Sequence, residues 1–255
     1  RGPNDWTGYF PNSVIDSDRK AGRQIVGLLI GTPAWAATPE TAAHSPRSVP
    51  AGLDLPVDDP GNYWVRFVRQ IVGHYRGKID HWIIWNEPDV WGEGEHGSTW
   101  TGTEADYYLL LKNAYLAAKS VNPEATILFS GLTYWWDARY QREQYLERVL
   151  RVADADPTAR EHGYYFDVLP LHLYHVVPYV PYVIGQYRQI LARHGLDKPI
   201  WINEMNVVPY DDPVHPIPRI ETRSTLEQQT HFLLQASALA LAAGVERISV
   251  YKITD

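Results

Sequence analysis

"HWIIWNEPD" (residues 81–89) is a short apolar run that stops abruptly in Asn, Glu and Pro. "FDVLPLHLYH" (166–175) and "PIWINEMN" (199–206) do the same: each begins like a buried strand and ends in polar, titratable side chains. One such run is an accident of a strand end. Three imply a single sheet that delivers chemistry at one edge.

The rest of the chain fits such a sheet. Six segments read as buried strands, at 24–30, 81–85, 126–130, 166–171, 199–203 and 247–251. They are short, apolar and rich in Val, Ile and Leu, as parallel strands covered on both faces are. Helical patterns separate them at 62–77, 103–121, 139–153, 179–194 and 224–243. Thr103 stands three residues before Asp106, close to a capping box. Alternating strands and helices predict a parallel α/β sheet.

Loop lengths then orient it. Helix-to-strand connections are short ("NPEA" 122–125, "GLDK" 195–198, "GVE" 244–246), whereas most strand-to-helix connections are longer, among them 31–60, 86–102 and 204–223. A barrel that builds its site at the C-terminal ends of its strands shows this asymmetry. No glycine-rich dinucleotide turn follows any strand, which weakens the doubly wound alternative. The opening "RGPNDWTGYFPNSVIDSDRKAG" reads as the loop and helix that follow a strand. The expected fold is therefore a (β/α)8 barrel, one domain over 1–255, lacking its first two strands.

Composition narrows the function. A net charge of −7 with no Lys/Arg-rich run argues against a nucleic-acid partner. No run of about 18 apolar residues is present to span a membrane. The absence of cysteine excludes disulfides, thiolate metal sites and a cysteine nucleophile together. Ten Trp and seventeen Tyr fit either a large aromatic core or a cleft that stacks on sugar rings.

Glu87 follows a strand and precedes Pro88, which cannot donate to a sheet; Glu204 likewise sits at a strand end. Either alone is usually a turn residue. Two carboxylates at the ends of two parallel strands, on the long-loop face, fit glycoside hydrolysis. Trp85 and Trp91 are expected to give Glu87 the apolar surroundings that suit a general acid. His172-x-x-His175 and "EGEH" (93–96) lack a convincing third ligand, so no metal and no cofactor is expected. No G-x-S-x-G elbow is present for a serine triad.

"WNEPD" and "WINEMN", with "HLY" between them, resemble clan A of the glycoside hydrolases, the retaining (β/α)8 enzymes, in the manner of family 39 and family 5-like members. "TPAWA" (32–36) is similar to the end of the third strand in that clan and "GVERISVYKITD" to the eighth. The resemblance implies Glu87 as acid/base, Glu204 as nucleophile and Asn86 on the sugar 2-hydroxyl. It implies a hydrogen bond from Tyr174 to Glu204, with His172 on the same floor. Trp35, Trp91, Trp135 and Trp136, in strand-to-helix loops, are candidates for sugar stacking, and Tyr251 stands where the clan often has tryptophan. His175 is expected on the other side of the strand. The clan's usual second-strand arginine has no counterpart here. The rival expectations are a non-catalytic carbohydrate-binding protein, and a barrel fragment that folds poorly or covers its open edge with a second copy.

Overall fold

The computed structural model describes residues 2, 4–6, 10–92, 97–174, 176–214 and 224–252. Helix α1 (Asn12–Lys20) precedes strand β1 (Val26–Leu29), followed by α2 (Tyr63–His74), β2 (His81–Ile84), α3 (Glu104–Val121) and β3 (Thr126–Leu128). Two helices, α4 (Trp135–Arg139) and α5 (Tyr145–Asp154), lead to β4 (Leu169–Tyr174). Then come α6 (Tyr179–Arg193), β5 (Ile200–Asn206), α7 (Leu226–Ala242) and β6 (Arg247–Ile248).

All strand pairs are parallel, in two sheets of order β1-β2-β3 and β4-β5-β6. Parallel bridges Leu128↔Val168 and Leu132↔Leu171 join β3 to β4, so the six strands run in chain order around an open, incomplete (β/α)8 barrel. Across the opening, Arg247 Nη1 donates to Gln24 Oε1 at 2.8 Å.

The helices form where local chemistry favours them. The Thr103 side chain accepts from Asp106 N–H while the Asp106 carboxylate accepts from Thr103 N–H, the capping box expected from sequence. From there α3 buries Tyr107, Leu110, Leu111, Ala114, Ala117 and Ala118, an i, i+3, i+4, i+7 stripe. Asn62 caps α2 by accepting from Val65 N–H, and α2 presents Trp64, Val65, Val68, Ile71 and Val72 to the core. Burying each large apolar side chain contributes about 1.5–3 kcal/mol.

The main core lies between strands and helices; a second cluster of Ile83, Leu128, Val168 and Trp201 marks the barrel axis. Register places Leu28 beside Ile83, on the axial face. Yet Val26, Leu28 and Ile30 are 39%, 45% and 40% exposed, because no strand faces them across the gap. The axis keeps an open cavity of about 600 Å³ reaching from Gln24 to Asn203.

Boundaries differ from expectation: β1, β3 and β6 are shorter than the 24–30, 126–130 and 247–251 read from sequence. The fourth strand begins at Leu169 and carries His172 and Tyr174 within it, and the fifth continues past Glu204 to Asn206. The site residues thus belong to the sheet, held by ladder hydrogen bonds. The helix read at 139–153 is α5, which begins only at Tyr145; α4 precedes it and ends at Arg139. No described helix is long and apolar enough to cross a membrane.

Candidate active site

Beyond β2 the backbone enters a conformation that side chains rarely adopt. Trp85 has φ 70° and Glu87 φ 44°, each costing roughly 1–3 kcal/mol unless its surroundings impose it. They do: Trp85 N–H donates to the Leu29 carbonyl at 2.9 Å and Glu87 N–H to that of Gly131 at 3.1 Å. Strand alternation would aim Trp85 at the axis after Ile83. The left-handed turn instead sends it into the core beside Trp64 and Trp100, where its indole N–H donates to the Thr99 carbonyl at 3.0 Å. Trp85 therefore does not supply the apolar cover expected for Glu87, and the turn leaves Glu87 half-buried at the mouth.

Glu204 arrives by a different device. Leu171 pairs with Ile202, but His172 pairs with Glu204, so Asn203 is an extra residue on β5. Such a bulge re-aims the side chains beyond it. Ile202 packs outward in the main core; Asn203 lines the axial cavity; Glu204 joins the axial side with His172.

These turns bring together one hydrogen-bonded group. Tyr174 Oη donates to Glu204 Oε2 at 2.6 Å. Burial, then this hydrogen bond, pushes the Tyr174 hydroxyl well above the usual phenol range, so it remains a donor. His172, 1% exposed, has Nδ1 2.5 Å from Glu87 Oε1 and 3.5 Å from Glu204 Oε2. The Asn203 amide nitrogen donates to His172 Nε2 at 3.0 Å, which assigns the ring proton to Nδ1 and makes His172 the donor to Glu87. Donor atoms of Glu87, His172 and Glu204 all lie within 4.8 Å of one another. Two ligands of one tetrahedral ion at about 2.0–2.2 Å stand more than 3 Å apart. A 2.5 Å Nδ1···Oε1 contact is a hydrogen bond instead. Of the other metal candidates, His175 and residues 93–96 lie outside the described residues.

Four further groups shape this site and were not singled out from sequence. Asn203 orients the histidine. Gly131 leaves room for it: a Cβ there would stand 2.0 Å from His172 Nε2. Asp89, 1% exposed, accepts from Thr133 N–H and Oγ1–H at 2.7 Å each, tying the Glu87 loop to the loop after β3. Burial pushes the Asp89 carboxyl up to about 7, against the pull of the Thr133 bonds, with the nearby Glu87 charge adding to the rise.

The remaining sequence candidates spread around the mouth. Asn86 is half-buried; its carbonyl accepts from Thr99 Oγ1, and its side chain makes no hydrogen bond among the described residues. Tyr251, 53% exposed, hangs from β5 through its N–H to the Met205 carbonyl and its carbonyl to Asn206 Nδ2. Trp91 donates to Asp137 Oδ1 at 3.2 Å and carries the Arg142 guanidinium 4.3 Å from its ring centroid, so one of its faces is occupied. Trp136 packs against Trp91 and Tyr140. Trp35 lies against Tyr63 in a cavity of about 510 Å³ lined by Trp6, Trp64 and Phe67, with none of the carboxylate pair in its wall.

No family model and no curated protein matches the sequence. Solved structures do. A glucosidase from Croceicoccus marinus superposes with a TM-score of 0.68 at 15% identity, covering 98% of this chain and 47% of its own. A family 39 glycoside hydrolase from Bacteroides cellulosilyticus WH2 gives 0.58 at 14%, over 93% and 45%. The xylanase XynB from Paenibacillus barcinonensis gives 0.61 at 12%, over 100% and 73%. The chain thus spans about half the length of the first two and has the fold shared by these glycoside hydrolases, as an incomplete barrel.

Proposed function

We propose that this chain is the catalytic domain, over 1–255, of a retaining glycoside hydrolase of the clan A type, cleaving β-linked sugars by double displacement. The observation that carries the reading is the carboxylate pair: oxygens of Glu87 and Glu204 within 4.8 Å, each held by its own donor. Retaining enzymes keep their carboxyl groups about 5–5.5 Å apart, whereas inverting ones need about 6.5–9.5 Å to seat a water.

Glu204, fixed by Tyr174, attacks the anomeric carbon. Glu87 gives its proton to the departing glycosidic oxygen, then takes one from water as the glycosyl–Glu204 ester is hydrolysed. His172 occupies Glu87 Oε1, which leaves Oε2 for the proton that moves. In this reading Asn86 meets the sugar 2-hydroxyl, as the clan resemblance implies. The glucosidase, xylanase and family 39 relatives in fold support this reading.

Mass spectrometry after incubation with 2-deoxy-2-fluoro β-glycosides bearing good leaving groups tests it. A glycosyl adduct on Glu204 is expected; an adduct on another carboxylate overturns the roles given. Glu204→Gln separates catalysis from mere binding: turnover collapses in the first case, and no turnover exists to lose in the second.

A further inference from the structure

Residues 131–133, just beyond β3, hold both halves of the carboxylate site. Glu87 N–H donates to the Gly131 carbonyl at 3.1 Å, and His172 N–H donates to the Leu132 carbonyl at 2.9 Å. Thr133 adds a third hold, since its N–H and Oγ1–H both donate to Asp89 Oδ2. The Glu87 turn, with φ 44°, is therefore pinned at two points two residues apart. A backbone in that region persists only where its surroundings fix it. Of the two pins, only Asp89 can change its charge.

A carboxyl group is an odd choice for a purely mechanical pin. Asp89 is buried, and its second oxygen, Oδ1, has no hydrogen-bond partner among the described residues. An ionised carboxylate in such a place is costly, and an amide oxygen would accept from Thr133 as well. The groups around Asp89 do not relieve a charge there. Glu87 in the same loop and Asp137 on α4 are both acidic. Tyr107 of α3, Tyr145 of α5 and Tyr187 of α6 also interact with it, and burial pushes all three hydroxyls up, so they stay neutral. The guanidiniums of Arg142 and Arg148 are directed to Asp137 and Glu104 instead. The neutral acid fits this pocket: Oδ2 accepts both Thr133 donors and Oδ1 carries the proton. Burial, with the Glu87 charge adding to it, keeps Asp89 in that form up to about 7.

We propose that Asp89 is a positioning residue for Glu87: neutral, it clamps the Glu87 turn to Thr133, and on ionising it releases that clamp and ends turnover on the alkaline side. The bare charge on Oδ1 must be hydrated, and water entering there parts residues 86–91 from 131–133. Glu87 then loses the second of its two pins and with it a fixed aim at the leaving oxygen. The proposal rests on the glycosidase reading for the turnover it limits, whereas the clamp itself is readable without a substrate. Loss of the proton from Glu87, acting as an acid, would also end turnover in alkali, so the substrate must be one that needs no acid.

Turnover of 2,4-dinitrophenyl β-glucoside and β-xyloside is measured between pH 5 and 9. Their leaving group departs without a proton, so the acid step of Glu87 drops out of the profile. In the parent, kcat should fall about a hundredfold between pH 7 and 9, with KM changed far less. Asp89→Asn keeps an acceptor for Thr133 and cannot ionise, so it should lack that alkaline limb. Asp89→Ala has no clamp and should run at the low alkaline rate throughout; if it folds poorly, the Asn variant decides alone. Hydrogen–deuterium exchange of residues 86–91, corrected for base-catalysed exchange, reads the clamp with no substrate present. Protection should be lost above pH 7 in the parent and kept in Asp89→Asn. Protection independent of pH in the parent, or an alkaline limb that survives Asp89→Asn, overturns the proposal. Protection that Asp89→Asn restores, with no fluoroglycoside label on Glu204, removes the catalytic reading and leaves the clamp standing. Label and turnover with a pH profile that Asp89→Asn leaves unmoved remove the clamp alone.

Discussion

Replacing Gly131 by alanine adds one methyl group and should disable the site. Its Cβ would stand 2.0 Å from His172 Nε2, 2.5 Å from Cδ2 and 2.7 Å from Cε1. Ordinary contact begins at 3.4 Å, so the ring or the backbone must give by about 1.4 Å. The ring has nowhere to go without loss: Nδ1 is 2.5 Å from Glu87 and Nε2 is 3.0 Å from Asn203. Gly131 is itself fixed, since its carbonyl accepts from Glu87 N–H. Overpacking costs about 1–3 kcal/mol and a stranded buried hydrogen-bonding group about 1–3 more. The expected destabilisation is roughly 2–6 kcal/mol, a fall in melting temperature of about 4–24 °C for a domain of this size. A misplacement of about 1 Å at Glu87 should also lower kcat by about a hundredfold. Calorimetric melting and aryl β-glycoside hydrolysis measure the two effects. A double-mutant cycle with His172→Ala isolates the clash: with the ring gone, Gly131→Ala should cost nothing further. A melting temperature within 2 °C of the parent and turnover within twofold would refute the argument, as would additive effects in the cycle.

Asp89→Asn should stabilise the protein increasingly as pH rises. With the folded carboxyl pushed up to about 7 from an unfolded value near 3.8, stability is fully present below pH 4 and is lost as pH rises through 7. By pH 8 that loss reaches about 4 kcal/mol, and the neutral amide avoids it. Denaturant unfolding of both proteins at pH 5–8 checks this, and parallel curves would count against a protonated Asp89. Tyr174→Phe removes the donor on Glu204 Oε2 and should cut kcat about 10–100-fold with KM changed far less; steady-state kinetics that show only a KM effect would reject the role given to that hydrogen bond. Thr103→Ala breaks the α3 capping box and should cost about 1 kcal/mol, lowering the melting temperature by about 2–4 °C without affecting turnover.

The fold was legible because burial leaves a simple record. Parallel strands covered on both faces are apolar on both, and β2 to β5 stand out as such, whereas β1 is apolar but exposed at the gap and β6 is only half-buried. Helices declare themselves through caps such as Thr103 and through the apolar stripe behind it. Strand ends are less visible. Tyr174 and Asn206 still belong to the ladder although their side chains are polar, because at the mouth of a barrel backbone pairing outlasts the apolar run.

The site was legible by residue type and hidden in its geometry. Glu87 and Glu204 could be named because carboxylates are chemically conspicuous at strand ends, and Tyr174 because the clan resemblance implied it. Gly131 could not, since its contribution is the absence of a Cβ, which becomes visible only once His172 lies against it. Nor could the two departures from alternation. A period of two puts Glu204 on the same side as Ile202, in the main core, where an ionised carboxylate would be costly. It puts Trp85 on the axis, in the path of a substrate. One inserted residue at Asn203 and a left-handed turn at Trp85 reverse both assignments. Each departure carries a cost, in a lost ladder pair or in backbone strain, that packing alone gives no reason to accept. Their joint effect is to face Glu87 and Glu204 toward each other across His172, and that shared destination is the strongest physical argument that the two carboxylates act together.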